Sequence, residues 1–248
     1  MGKGGFGEVY LAEHKETGRQ VDLKIYAKER MTLNDIELCR NEIEALKLCQ
    51  HPNIIRLFDV LENSQYLILA MELLKGGDIL DRIGKKNNDF SEKIVAKHIF
   101  KLAKALDYFH EIGIIHRDMK PENILFADDS PDSDLKITDF GLAALLNHNE
   151  KQKGFAGTLV YTSPEVLLGL HYDKAVDLWG LGMVTYIMLC GRKPLSSSVP
   201  KEVIKNRILK ENFDYESERW SSISIEAKKF VNRTFLLCCI NIKYRTFN

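Results

Sequence analysis

No run of about eighteen apolar residues occurs anywhere in the chain, so no segment is expected to cross a membrane, and the N-terminus has no apolar stretch of the secretory kind. Charge of one sign is not in excess either. Lys and Arg total 35, as do Asp and Glu, so no net field draws the protein to nucleic acid or an anionic lipid surface, and specificity has to come from a local site. Cysteine is scarce and odd in number: Cys39, Cys49, Cys190, Cys238 and Cys239 form no C-x-x-C pair. They argue against a disulfide framework or zinc site and for buried thiols in a reducing compartment, hence a cytoplasmic or nuclear location. Phe6 stands where a myristoylation signal at Gly2 needs Ser or Thr, and the sequon Asn232-Arg233-Thr234 carries no weight inside a cell. The acidic run Asp128 to Asp134 lacks the central Gly and closing Glu of an EF-hand, and reads as the solvated tip of a hairpin. Finally, no Ser, Thr or Tyr lies between Gly141 and Gly157.

What is present is a chain of 248 residues, 45% apolar, enough to bury the core of one large domain or two lobes. Its densest chemistry is His116-Arg117-Asp118-Met119-Lys120-Pro121-Glu122-Asn123. Asp118 can take a proton from a hydroxyl nucleophile, Lys120 can neutralise a migrating phosphoryl group, and Asn123 can hold a divalent metal through its amide oxygen. A lone His-Arg-Asp reads equally well as a polar surface loop. Lys120, Asn123 and then Asp139-Phe140-Gly141, sixteen residues after Asn123, favour phosphate chemistry.

The flanking pattern supplies elements. Glycines at 2, 4 and 7 precede the strand-like Glu8 to Ala12 rather than a helix, which predicts a glycine hairpin between strands that brings backbone amides close to phosphates. A strand over 19–27 carries Lys24. A helix over 33–48 has Ile36, Ile43, Leu46 and Leu48 on its apolar side and ends before His51-Pro52. Strands are expected at 54–61 and 66–72, joined by a turn at 62–64. Lys75-Gly76-Gly77 then reads as a flexible connector to a helical remainder. Ser91 caps a helix with Ile94, Val95, Ile99, Leu102, Leu106 and Phe109 at threes and fours and Gly113 as terminator. Short strands Ile114-Ile115, 124–126 and 135–138 enter and leave the loop region. A strongly apolar helix runs from Val176 to Cys190, and an amphipathic one covers 224–240.

The glycine hairpin, Val21-Asp22-Leu23-Lys24, the 116–123 loop, Asp139-Phe140-Gly141, Gly157-Thr158, Ser163-Pro164-Glu165 and Val176-Asp177-Leu178-Trp179-Gly180 resemble, in this order, the protein kinase catalytic domain over nearly the whole chain. Runs 172–179 and 76–83 are most similar to the calmodulin-dependent and calcium-dependent kinases. The resemblance implies an α+β, two-lobed protein kinase fold. A small antiparallel-sheet N-lobe with one main helix would span 1–73, a hinge 74–77 and a larger, mainly helical C-lobe 78–248, the domain being incomplete at both ends. It further implies a Ser/Thr protein kinase using ATP and Mg2+, with protein substrates bound as extended peptides and Ca2+/calmodulin-linked regulation from outside this chain. Neither nucleic acid nor membrane is an expected partner.

By the same resemblance, Gly2, Lys3, Gly4, Gly5, Phe6 and Gly7 cover the phosphates with Phe6 at the tip, and Val9 packs on the purine. Lys24 holds the α and β phosphates and pairs with Glu42 rather than Glu44. Met71 is the gatekeeper, Glu72 and Leu74 offer backbone hydrogen bonds to adenine, and Leu125 lies beneath it. Asp78 faces the ribose or a substrate arginine, with a helix N-cap role equally supported. Asp118 is the catalytic base, Lys120 stabilises transferring charge, and Asn123 and Asp139 hold Mg2+. Thr158 touches Asp118 and Lys120 and, with the Lys-Pro-Glu-Asn run, indicates Ser/Thr rather than Tyr transfer. Asp177 accepts amides of the catalytic loop or caps its own helix, and Arg245 pairs with Glu165. Departures are Asp22 in place of the alanine against adenine, Ile187 in place of a glutamate that some basophilic kinases direct at substrate arginine, and Asn241-Ile242 in place of Asp-Pro. A carboxylate at 22 costs free energy unless it finds a donor or turns to water. Because residues 142–157 offer no phosphate acceptor for Arg117 to bind, activity without phosphorylation there is expected, with Glu150 as a fixed carboxylate. The rival reading is a pseudokinase, a non-catalytic scaffold, supported by Asp22 and the missing ends.

Overall fold

Side chains alternate across a strand, so Asp22, Lys24 and Tyr26 share one face of β3 (Gln20–Ala27), and Lys24 and Tyr26 are buried there. The computed structural model describes residues 2–3, 7–84, 90–146, 150–195, 198–210, 213, 215 and 218–243, with the backbone alone at 2–3 and 237–243. β3 is the middle strand of an antiparallel sheet ordered β1-β2-β3-β5-β4, where β1 is Gly2–Lys3, β2 Glu8–Glu13, β4 Leu57–Glu62 and β5 Tyr66–Glu72. Gly2 pairs with Val9 and Lys3 with Glu8, so the glycine segment is a hairpin between strands. Gly4, Gly5 and Phe6, expected at its tip, lie outside the described residues.

Helix α1 (Leu33–Leu48) opens on a capping box between Thr32 and Asp35. Its buried face is Cys39, Glu42, Ala45 and Leu46, and the apolar stripe expected through Leu48 is corrected, since Leu48 is 51% exposed. The inward face centres on Glu42, which Lys24 and Tyr26 both hold, and that orientation turns Leu48 to solvent. β4 starts at Leu57 rather than at Ile54. Ile54 instead makes a parallel bridge to Ile137, and Ile55 N–H donates to the Ile137 carbonyl at 2.9 Å, tying this segment to the second lobe.

The connector 75–77 is docked rather than free. The Lys75 and Gly76 amides donate to the Ala127 and Phe126 carbonyls at 3.0 and 3.1 Å, and Phe126 N–H donates to the Gly77 carbonyl at 2.9 Å. A Cβ at Gly76 would lie 2.2 Å from the Asp128 carbonyl oxygen, so glycine is needed there for close approach.

The second lobe is built on α3 (Glu92–Glu111), capped by Ser91, and α5 (Ala175–Cys190), in which every residue from Trp179 to Cys190 is buried. On α3, Ile94 is the exception to the expected stripe, lying at its edge and 37% exposed. Short helices α2 (Ile79–Gly84), α4 (Pro164–Leu167), α6 (Lys201–Leu209) and α7 (Glu218–Ser222), with α8 (Ile225–Lys243), complete this lobe. Two small antiparallel pairs, β6 (Ile114–Ile115) with β9 (Ala144–Leu145) and β7 (Ile124–Phe126) with β8 (Leu135–Ile137), frame the 116–123 loop and Asp139. The 128–134 tip is exposed over 128–132, as expected, and is also pinned at its base. Buried Arg82 donates to the Asp128 and Ser130 carbonyls at 2.7 and 2.9 Å and lies 3.8 Å from the Phe126 ring centroid.

Among the described residues no helix is long and apolar enough to cross a membrane. Cys39, Cys49 and Cys190 are buried, and burial pushes the Cys39 thiol up to about 11 and the Cys49 thiol up to about 12.

Candidate active site

The loop 116–123 is held by a residue far along the chain. Asp177, wholly buried in the first turn of α5, accepts the amides of His116 and Arg117 at 2.9 and 2.8 Å and meets His110 Nε2 at 2.8 Å. Burial alone would raise its carboxyl. The His110 hydrogen bond and the His116 contacts outweigh that and keep it below the ordinary value. Lys174, not Asp177, sits at the N-cap of α5, so Asp177 serves the loop rather than capping its own helix. His116 Nε2 meets the Thr138 carbonyl at 2.9 Å, joining the loop to the strand that delivers Asp139.

Within this frame Arg117 adopts φ +66° and Asp139 φ +56°, a region non-glycine residues rarely enter, so the surrounding contacts must hold both. The Arg117 guanidinium donates to the Leu142 carbonyl at 2.6 Å and to the Tyr172 hydroxyl at 3.4 Å, both neutral acceptors. Asp118 is surrounded by donors. Oδ2 accepts from Lys120 Nζ at 2.5 Å and Asn123 Nδ2 at 3.0 Å, and Oδ1 from the Thr158 amide and hydroxyl at 3.1 and 3.2 Å. Lys120 Nζ also donates to Thr158 Oγ1 at 3.0 Å. The expected meeting of Thr158 with Asp118 and Lys120 is therefore present in the geometry. Asn123 spends its amide nitrogen on Asp118, which turns its amide oxygen away from the loop.

Across the cleft, Lys24 Nζ lies 2.7 Å from Glu42 Oε1 and 3.2 Å from Asp139 Oδ1. Glu44 faces solvent. Burial disfavours the Lys24 ammonium, but Glu42 and then Asp139 more than compensate, and its pKa stands well above the ordinary value. Burial likewise opposes the Asp139 carboxylate, and Lys24, with His116 and Lys120, holds it below the ordinary value. Tyr26, which the sequence reading passed over, donates to Glu42 Oε2 at 2.5 Å and fixes the carboxylate from its other side. Its signal was its place two residues after Lys24, on the same strand face.

The positions expected to face the base are distributed over both lobes. Val9 is opposite Lys24, Asp22 is opposite both Leu11 and buried Met71, and Leu125 on β7 lies in the other lobe, bridged to Asp78. Glu72 is the last residue of β5, its amide bonded to the Arg56 carbonyl at 2.9 Å and its side chain 3.0 Å from Lys136 Nζ. Asp78 Oδ1 accepts the Asp81 amide at 2.8 Å, so the capping role at α2 is realised. Asp22 is half-buried. Burial raises its carboxyl, and the Leu74 backbone amide acts in the opposite direction. The Lys3 side chain and Arg245, the expected partner of Glu165, lie outside the described residues.

As to metal, the described residues contain no group of three or more His, Cys, Asp or Glu placed to bind one. Asp139 and Asn123 offer one carboxylate and one amide oxygen. That suits Mg2+, which keeps several waters and takes its remaining ligands from phosphates, and not a cage made by protein alone.

A carboxylate ringed by Lys, Asn and Thr, facing a Lys-Glu pair across a cleft between a sheet lobe and a helical lobe, defines the class as the two-lobed kinase fold. The chain belongs to the protein kinase family, whose protein kinase domain matches residues 1–245. It is 40% identical over 246 residues to calcium-dependent protein kinase 5 of Plasmodium berghei (strain Anka), covering 99% of this chain and 42% of that protein. Over 237 residues it is 37% identical to calcium/calmodulin-dependent protein kinase type IV of Homo sapiens, covering 96% of this chain and 49% of that one. Calcium/calmodulin-dependent protein kinase type 1 of Macrobrachium nipponense is 37% identical over 246 residues, 99% of this chain and 69% of its own. The chain thus spans about two-fifths of the first of these relatives and about half of the second.

Proposed function

We propose that this chain is the catalytic domain of a Ser/Thr protein kinase that moves the γ-phosphoryl group of ATP to a hydroxyl on an extended protein segment. The observation that carries the reading is the convergence of Lys120, Asn123 and Thr158 on Asp118, with Lys24, Glu42 and Asp139 across the cleft. Residues 1–73 and 78–248 form its lobes, with 74–77 as hinge. Asp118 orients the acceptor hydroxyl and takes its proton, Thr158 and Asn123 hold Asp118 in place, and Lys120 neutralises charge on the transferring group. Lys24, fixed by Glu42 and Tyr26, holds the nucleotide phosphates. Asp139 and Asn123 would hold Mg2+, which when bound would neutralise phosphate charge.

Met71, Glu72 and Leu74 line the adenine edge from the hinge side, with Val9 above and Leu125 below. Regulation through Ca2+ and calmodulin from outside this chain belongs to the proposal, because relatives carry those ligands in their names. The balanced charge and the buried cysteines support a cytoplasmic or nuclear setting.

Arg117 rests on the Leu142 carbonyl and the Tyr172 hydroxyl, which supports activity without phosphate on 142–157. The test is transfer of labelled phosphate from Mg2+-ATP to a generic basic protein, using enzyme freed of phosphate beforehand. Wild type transfers label, and Asp118→Asn loses about 100- to 10,000-fold in kcat, the usual worth of positioned proton transfer. An inert phosphate-free wild type that bound Mg2+-ATP, or an Asp118→Asn protein as active as wild type, would overturn the reading.

A further inference from the structure

Glu122 lies at the centre of the turn Pro121–Asn123, four residues after Asp118, beside Tyr161, which follows the Thr158 that touches Asp118. Its Oε1 accepts from the Tyr161 hydroxyl at 3.1 Å and from Lys193 Nζ at 3.0 Å. Lys193 Nζ also lies 5.5 Å from the Tyr161 ring centroid, within reach of its π face. The other carboxylate oxygen, Oε2, is buried with no hydrogen-bond partner in the protein. Asp78 belongs to the same corner: burial raises its carboxyl first, and the charges of Asp81 and Glu122 raise it further.

Two carboxylates beside the catalytic loop form a corner that attracts a basic residue on any segment bound there. Here the chain supplies its own cation. Lys193 is tethered just before Pro194, which restricts its backbone, so its ammonium reaches Glu122 at an effective concentration far above that of a dilute peptide. A substrate cation entering this corner exchanges one ammonium contact for another, and the gain nearly cancels.

We propose that Lys193 is a specificity-determining residue, a built-in counter-ion on Glu122 that removes the selection for basic residues this corner would otherwise impose on protein substrates. The inference deepens the kinase reading and rests on it for the identity of the bound segment. It singles out a residue without a part in phosphoryl transfer, on a side chain about one-third exposed, so substitution there leaves the core packing intact.

The experiment compares matched peptides, each with one acceptor serine and either a basic or a neutral residue at successive positions N-terminal to it. Wild type is expected to separate the best basic peptide from its neutral match by less than about threefold in kcat/KM. Lys193→Met is expected to favour the basic peptide by about tenfold, the scale of one partly buried charge-assisted contact. Lys193→Arg keeps the counter-ion and stays indifferent, and adding Glu122→Gln to Lys193→Met abolishes the gain. Fluorescence anisotropy of labelled peptides carries the same comparison without catalysis. An inert chain would sink the kinase reading while peptide binding still decided this one. A strong basic preference already in wild type, or no gain on Lys193→Met in either assay, would overturn the assignment.

Discussion

At the scale of single residues, Asp22 is the position where the chemistry of the cleft is most altered. It shares the face of β3 that presents Lys24 and stands opposite Met71, so its carboxylate enters the cleft rather than solvent alone. The Leu74 backbone amide, the group assigned to the purine edge, acts against the effect of burial on the Asp22 carboxyl, so Asp22 and adenine draw on the same donor. Asp22→Ala is therefore expected to tighten ATP binding by about fivefold, the worth of one net hydrogen bond near 1 kcal/mol, with kcat unchanged. Titration calorimetry against steady-state kinetics checks it, and an unaltered Kd would mean that Asp22 turns away at no cost. Asp22 was legible in the sequence as a misfit. The influence of the Leu74 amide on it was not, because the two residues lie far apart in the chain and only the fold brings them together.

At the scale of elements, α5 is the surface on which the catalytic loop rests. Asp177 ties down two amides of the loop, and Gly180, one turn further on, lets it lie against the helix: a Cβ there would be 2.5 Å from Met119 Cβ and 2.7 Å from the Met119 carbonyl oxygen. In an exposed helix Gly→Ala gains roughly 0.5–1 kcal/mol, but here the added methyl collides with the loop that carries Asp118. Gly180→Ala is expected to cost about 1–3 kcal/mol of stability and to lower kcat about tenfold or more, since small displacements of reacting groups are expensive. Thermal unfolding and turnover measured together test it. Unchanged turnover in a folded protein would show that the loop tolerates the shift. The helix itself was readable from its apolar run, and Asp177 as a group for the loop amides. The need for glycine at 180 was not, because it depends on a backbone 61 residues earlier in the chain, at Met119.

At the scale of the whole molecule, the balanced charge leaves acid stability to a few buried groups. His98 is 3% exposed on α3, edge-on to Phe126 at 5.7 Å and Phe90 at 6.4 Å, and its Nδ1 has no hydrogen-bond partner in the protein. Burial, then Lys101 and Lys97, lowers its pKa from 6.5 to about 4. Between those values the unfolded chain binds a proton that the folded chain refuses. Stability from this group is therefore intact above 6.5, falls as the pH drops and is fully lost below about 4. The loss amounts to roughly 3 kcal/mol at 1.4 kcal/mol per pKa unit. His98→Leu is expected to flatten the fall in Tm across that window relative to wild type. Parallel curves for the two proteins would show that other groups set the acid limit.

The sequence by itself determined which chemistry is available and in what order. A carboxylate, an ammonium and an amide within 118–123, a second carboxylate at 139, a strand lysine at 24 and the helical and strand periodicities that carry them are all local, written over windows of a few residues. The kinase resemblance already named Glu42 for Lys24 and the loop amides for Asp177; only the tertiary structure decided the other partners, such as Tyr26 on Glu42 and Lys193 on Glu122. Glu42 faces Lys24 and Tyr26 because α1 presents that turn to the sheet, and the glycine connector is held firm by β7. Lys193 reaches Glu122 across 71 residues and Asp177 reaches Arg117 across 60. A buried or half-buried charge must find a partner wherever the packed chain brings one, and that choice depends on the non-local contacts that local pattern does not encode.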